Sequence, residues 1–192
     1  MAKISKGMII GISAAVLVVL VLLGIWGMYN GLVGAEINVD NAWAQVETAY
    51  QRRADLIPNL VSTVSAFANF ERSVLQNVTN ARSAWANAVT PQQQVAAANQ
   101  MEGALARLLV TVEAYPEIKA NQNFLALQDE LAGTENRINV ERKRYNDAVS
   151  EYNKKTRMFP SNIIAGMFGF EQRDFFEAEA GAEQAPDVEF NI

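Results

Sequence analysis

Any chemistry in this chain would have to come from carboxylates, lysines and arginines, because cysteine and histidine are both absent. No disulfide framework, thiolate zinc site, cysteine nucleophile or histidine base can form. The carboxylates are poorly spaced to act together. Asp129 and Glu130 are sequence neighbours and Glu135 and Glu141 stand six apart, so each pair diverges around a helix. No pair has the four-residue spacing with an accompanying histidine that carboxylate metal sites favour. Asn77-Val78-Thr79 matches a glycosylation acceptor but falls within a helical pattern. There is no glycine-rich phosphate loop. The chain therefore reads as a non-enzyme, with no catalytic residue, cofactor or metal ligand assigned. An enzyme working through carboxylates alone is the alternative that a deep polar pocket would revive.

The basic residues suggest binding rather than catalysis. Arg142-Lys143-Arg144 is the densest run. It reads as a solvated helix face, with an anionic-lipid or partner contact as the alternative. The chain carries 16 Lys+Arg against 21 Asp+Glu, for a formal charge of -5. Two of those cations, Lys3 and Lys6, precede the apolar segment, so the remainder is more acidic still. Nucleic acid is excluded as a partner, since phosphate neutralisation needs clustered cations.

These residues must be positioned by helices. Met8 to Met28 is about 21 residues without a charge, enough to span the ~30 Å hydrocarbon core at ~1.5 Å per residue. A cleaved signal peptide is the alternative, with Val33-Gly34-Ala35 as its site, but its apolar core would be shorter. Trp26 and Tyr29 sit where an interfacial aromatic belt belongs. Lys3 and Lys6 place the N-terminus in the cytoplasm and the rest of the chain outside by the positive-inside bias. Gly7, Gly11 and Ala15 form a small-residue strip that permits close helix contact in lipid.

Beyond a short link at Gly31 to Glu36, with Asn38 or Asp40 as a cap, heptad seams take over. The first runs from Trp43 through Tyr50, Arg53, Ile57, Leu60, Val64, Phe67, Glu71, Val74 and Val78 to Trp85 and Ala88. Pro58 should kink it. Arg53 and Glu71 put charges on the seam, and each is expected to meet an opposite charge on a facing helix. A second helix is capped by Thr90, Pro91 and Gln93 and carries Ala98, Met101, Leu105, Leu108 and Val112, ending at Pro116. A connector, Glu117 to Asn123, leads to a third, with Phe124, Leu131, Thr134, Ile138, Glu141, Tyr145 and Tyr152 on its seam, ending at Pro160. The unbroken register through Phe67, Glu71 and Val74 favours three passes. Four passes, with a break near Pro58 or Asn69, would return the C-terminal segment to the membrane.

The expected fold is all-α: a single N-terminal transmembrane helix and an elongated antiparallel up-and-down bundle of three long helices, or four if the first is broken. The expected organisation is a cytoplasmic N-terminus at 1–7, an anchor at 8–28, a linker at 29–37 and a bundle at 38–160. An apolar segment at 161–176 and an acidic tail at 177–192 follow. The apolar segment is too short to span a bilayer and could cap the bundle, lie in the interface or form a subunit contact. Ile163, Ile164, Met167, Phe168 and Phe170 join Gly7, Gly11 and Ala15 as candidate oligomer contacts.

Several motifs occur in a specific order: Tyr50–Val61 (YQRRADLIPNLV), Glu71, Ala81-Arg82, Glu113-Ala114-Tyr115-Pro116, Asn123-Phe124, Leu127-Gln128, Thr134-Glu135-Asn136-Arg137-Ile138, Tyr145-Asn146, Tyr152-Asn153 and the terminal Pro186–Phe190. Together they closely resemble the LemA family of bacterial membrane proteins over nearly the whole chain. The resemblance implies a helical bundle on one anchor in the bacterial cytoplasmic membrane, and no reaction. Similarity of family members to a protein involved in forming magnetosome membranes implies membrane organisation. The proximity of family genes to those of membrane metalloproteases implies an adaptor role. The family motif Arg52, Arg53, Asp55, Pro58, Asn59 reads as a kink whose freed Ala54 carbonyl is capped by neighbours, or as a partner surface. The leading expectation is a self-associating scaffold in contact with membrane lipid, a homo-oligomer. The rival is an adaptor or regulator of a membrane protease or other envelope protein.

Overall fold

The computed structural model describes residues 6–67 and 69–176. Lys3 and the acidic tail at 177–192 lie outside the described residues. The described residues form six helices and no strand: α1 Lys6–Ser65, α2 Arg72–Asn87, α3 Pro91–Val112, α4 Pro116–Lys119, α5 Gln122–Arg157 and α6 Ser161–Phe168. It divides into two compact units. The first comprises Met1–Trp43 and Arg144–Phe175, and the second Ala44–Lys143 and Phe176–Ile192. Helices α1 and α5 contribute to both.

In the first unit, the apolar part of α1 is exposed from Met8 to Leu23. Among the described residues, α1 alone is long and apolar enough to cross a membrane. The expected link at Gly31 to Glu36 is instead part of the same helix. Leu32, Ala35 and Val39 explain why, since they are buried at helical spacing and no proline interrupts them. Asn38 and Asp40 consequently cap nothing. The returning end of α5 runs antiparallel to this stretch. Trp43 meets Tyr145 with ring centres 5.1 Å apart, and Lys155 Nζ donates to the Gly31 carbonyl at 3.3 Å.

The second unit is a four-helix bundle formed by α1, α2, α3 and the start of α5, with α4 as a short cap. Its core is the set of heptad positions: Val46, Tyr50, Ile57, Leu60 and Val64 face Val78, Met101, Leu105, Leu108, Leu131 and Ile138, all buried. Each fully buried aliphatic side chain of this kind stabilises the fold by ~1.5–3 kcal/mol. Helix α3 begins with the expected capping box: the Gln93 N–H donates to Thr90 Oγ1 at 3.2 Å and the Thr90 N–H to Gln93 Oε1 at 3.3 Å.

The preference for three passes fails. The chain breaks between Ser65 and Arg72, as the four-pass alternative required. A turn forms there, with the Phe67 N–H bonded to the Val64 carbonyl and the Phe70 N–H to the Phe67 carbonyl, both at 3.1 Å. Heptad spacing did not reveal it, because a helical hairpin folds the same apolar face back onto the same core. Val64 and Val74 stay buried while the chain reverses. The break buries Phe70 against Tyr115, at 5.1 Å, and sends Glu71 to the surface as the residue preceding α2. Glu71 therefore needs no facing base. Tyr115 Oη donates to the Asn69 carbonyl at 3.0 Å and holds the turn closed. The connector also gains structure. Ile118 of α4 is fully buried, and Asn121 Oδ1 accepts the Asn123 and Phe124 N–H groups at 3.0 and 3.1 Å, capping α5.

Candidate functional site

The second unit holds a partly buried ionic cluster built from three helices. Tyr50 and Arg53 lie one turn apart on α1, so both enter the core. Glu102 comes from α3, and Glu135 and Arg142 from two turns of α5. Tyr50 Oη donates to Glu102 Oε1 at 2.6 Å. Arg142 donates to both Tyr50 Oη and Glu102. Arg53 pairs with Glu135 Oε2 at 2.5 Å and faces Glu102 Oε1 at 3.8 Å. Aromatic rings close the cluster. Trp85 lies 4.9 Å from Tyr50, and Phe176 places its ring centre 4.3 Å from the Arg142 guanidinium carbon. That distance suits a cation–π contact.

Two guanidiniums balance two carboxylates, and a phenol bridges them. Burial pushes the Tyr50 phenol well above its usual range, and the Glu102 charge adds to the shift while Arg142 opposes it. Tyr50 is therefore a proton-bearing donor rather than a base. Donors outnumber acceptors here: Arg53 Nε and Nη1 and Arg142 Nε are buried without a hydrogen-bond partner. Each such group costs ~1–3 kcal/mol. The cluster fixes the register of three helices at that cost, and its carboxylates are occupied by cations. Among the described residues, no group of three or more acidic residues is placed to hold a metal ion.

The expectation for Arg53 meets its partners on two facing helices. Arg142 departs from the solvated-face reading. It turns inward, with its side chain 15% exposed, while Lys143 and Arg144 stay outside. Neighbouring residues on a helix point ~100° apart, so a basic run cannot share one face. Glu102 was not singled out by sequence. Its only signal is its place beside the seam residue Met101.

The polar motif around Arg52 splits in the same way. Arg53 is buried, whereas Arg52, Asp55, Pro58 and Asn59 are exposed. Pro58 leaves the Ala54 carbonyl without its helical donor, and Arg82 Nε of α2 supplies one at 3.1 Å. Arg52 lines a groove of about 400 Å³ together with Thr48, Glu130, Gly133 and Arg137. It also borders a second groove with Asp55, while Asn59 lines a third with Asn123 and Leu127.

The first unit has its own polar lock. The chain after α6 is tied to α5 by Asn153, whose Nδ2 donates to the Arg173 carbonyl at 2.8 Å and whose Oδ1 accepts the Arg173 N–H at 2.9 Å. Tyr145 Oη donates to the Asp174 carbonyl at 2.9 Å. The Arg173 guanidinium reaches Glu36 at 3.0 Å and Asp40 at 3.5 Å on α1. Burial raises the Tyr145 and Tyr152 phenols above their ordinary value.

Of the candidate oligomer contacts, Gly7, Gly11 and Ala15 are exposed on α1. Ile164 is not available to a second copy, because it is buried with Ala165 against Leu32, Ile25, Met28 and Tyr29. Phe170 is half-buried against Tyr29, at 5.7 Å. Ile163, Met167 and Phe168 remain exposed.

Residues 42–190 match the model of the LemA family. The chain is 26% identical over 140 residues to Protein LemA of Metamycoplasma hominis, covering 72% of this chain and 64% of that relative. It is 24% identical over 181 residues to magnetosome protein MamQ 2 of Paramagnetospirillum magneticum, covering 81% and 66%. It is 23% identical over 180 residues to magnetosome protein MamQ of Magnetospirillum gryphiswaldense, covering 80% and 66%. The matched chain thus spans somewhat less than two thirds of these relatives' length.

Proposed function

The chain belongs to the LemA family, and on that premise we propose that it is a non-enzymatic membrane protein that self-associates and serves as a membrane-organising scaffold. The observation that carries this reading is the way the span is built into a packed unit. Helix α1 leaves its apolar stretch without a break and is buried at once through Leu32, Ala35 and Val39. The span is therefore part of the folded unit rather than a tether. Its lipid-facing surface stays open, including the strip Gly7, Gly11, Ala15, on which helices of neighbouring copies can approach closely. Relatives named as magnetosome proteins support a role at a membrane. The scaffold sits in the bacterial cytoplasmic membrane with its N-terminus in the cytoplasm. Protease treatment of spheroplasts should digest the bundle, and a protected bundle would reverse that orientation.

A second reading is favoured by one observation: the exposed motif residues Arg52, Asp55 and Asn59 all border surface grooves. Such a face suits an adaptor or regulator of a membrane protease or another envelope protein. The two readings part on native particle size. Extraction with surrounding lipid and imaging by electron microscopy should give an ordered homo-assembly. A monomer or dimer co-purifying with a different protein would sink the scaffold and leave the adaptor.

A further inference from the structure

We propose that α6 is a membrane-interface helix, whose outer residues Ile163 and Met167, with Phe159 just before it, enter the headgroup boundary of the bilayer beside the point where α1 leaves it. The inference rests on reading Met8–Met28 as a membrane span, and not on self-association. Its first support is position. Within the first unit, α6 packs through Ile164 and Ala165 onto Ile25, Met28, Tyr29 and Leu32 of α1. Tyr29 holds Phe168 with ring centres 4.9 Å apart. Those α1 residues straddle Met28, where the apolar stretch gives way to Tyr29-Asn30-Gly31, and cover ~10 Å of helix rise. The polar boundary of one leaflet is of the same order, ~5–8 Å. The depth of α6 is thus set by its contact with the span.

The second support is chemistry. Ile164 and Ala165 point inward, which leaves the other side of α6 apolar and bare. Phe159 is 78% exposed and Met167 73%. Ile163 and Met167 stand four residues apart in α6 and so share one face, and exposed Phe159 lies just before the helix. The helix SNIIAGMF carries no charge of its own. Eight residues cannot cross the hydrocarbon, but they can lie in the interface plane. Gly169, in the left-handed conformation at φ 76°, ends the helix and turns the chain back toward Asn153. Cations also stand at this level: Lys154 and Arg157 lie exposed in the last turn of α5, just before α6, and Lys155 reaches the Gly31 carbonyl of α1, a placement that suits anionic headgroups. Lipid is the occupant these features select. A second copy would have to reach a face that is already pinned at the membrane boundary.

The chain contains no cysteine, so single cysteines can be introduced as unique labels. The full chain is reconstituted in nanodiscs of mixed zwitterionic and anionic lipid, with nitroxides at I163C, M167C, L17C and V110C. Power saturation compares collisions with oxygen, which concentrates in lipid, and with a water-soluble nickel chelate. Labels at 163 and 167 should favour oxygen several-fold over the label at 110, which lies on the exposed face of α3. Equal values at 163, 167 and 110, with an oxygen-rich signal at 17, would overturn the interface helix while keeping the span. A water-like signal at 17 would overturn both. Spin–spin broadening at 163 or 167 that vanishes on dilution with unlabelled chain would assign the face to a second copy and overturn the proposal. Should a variant lose helicity, the unmutated chain is photolabelled by a lipid-borne carbene. Adducts within 159–168 support the inference, and their absence there alongside adducts in 8–24 refutes it.

Discussion

At the scale of single residues, Tyr50 and Arg53 make the sharpest claims. The Tyr50 phenol has a folded pKa above its unfolded value near ~10. Its contribution to stability is therefore complete below about pH 10 and is lost as pH rises from there toward the folded value. The melting temperature in detergent micelles should fall on alkaline titration. Tyr50→Phe should be less stable at neutral pH by ~1–2 kcal/mol, since it drops the bond to Glu102. It should also lose less stability above pH ~10 than the parent. Equal alkaline slopes for the two proteins would refute this account of Tyr50. Arg53→Met should destabilise by about 1–3 kcal/mol. That is less than the ~3–5 kcal/mol typical of a broken, fully buried pair, because the Glu135 side chain is 39% exposed and can reach water. A variant as stable as the parent would mean that the cluster does not depend on this pair.

At the scale of elements, the kink in α1 couples two helices. Pro58 removes the donor for the Ala54 carbonyl, and Arg82 from α2 replaces it. Arg82→Ala alone should cost ~1–3 kcal/mol for the orphaned carbonyl. In a Pro58→Ala background an N–H can return to that carbonyl, so the same change should cost less. A double-mutant cycle read by thermal unfolding should show a coupling of ~0.5–1.5 kcal/mol, and strict additivity would disprove the exchange of donors. Most elements were legible in sequence because their signals are local: the capping box at Thr90, the proline stops and the heptad seams. The turn at 66–71 was legible only as the less favoured alternative, because residue spacing records which face is buried and not which way the chain then travels.

At the scale of the whole molecule, the proposed self-association places its contact on the exposed anchor. A side chain added at Gly11 would meet nothing within 4 Å in the single chain. Gly11→Leu should therefore leave helicity and melting temperature unchanged while shrinking the native particle. An assembly of unaltered size would show that the anchor strip is not a contact. The C-terminal segment is divided between tasks: Ile164 and Ala165 close the first unit, and Phe176 is buried in the second. The outer face of α6 is left bare for lipid.

What the sequence determined by itself was the helical class, the apolar span, the seams and the family, because each rests on residue type repeated at a fixed period or in a fixed order. Tertiary structure decided what periodicity cannot carry. It closed a hairpin at Phe70 where the register ran on, and it continued α1 through Gly31–Glu36 because α5 and α6 offered a surface to bury. It turned Arg142 inward, since Glu102 and Tyr50 waited there from helices 40 and 92 residues away. It also brought α6 back to Tyr29. These outcomes depend on partners distant in the chain, and a buried charge is settled only once the residues that neutralise it are in place.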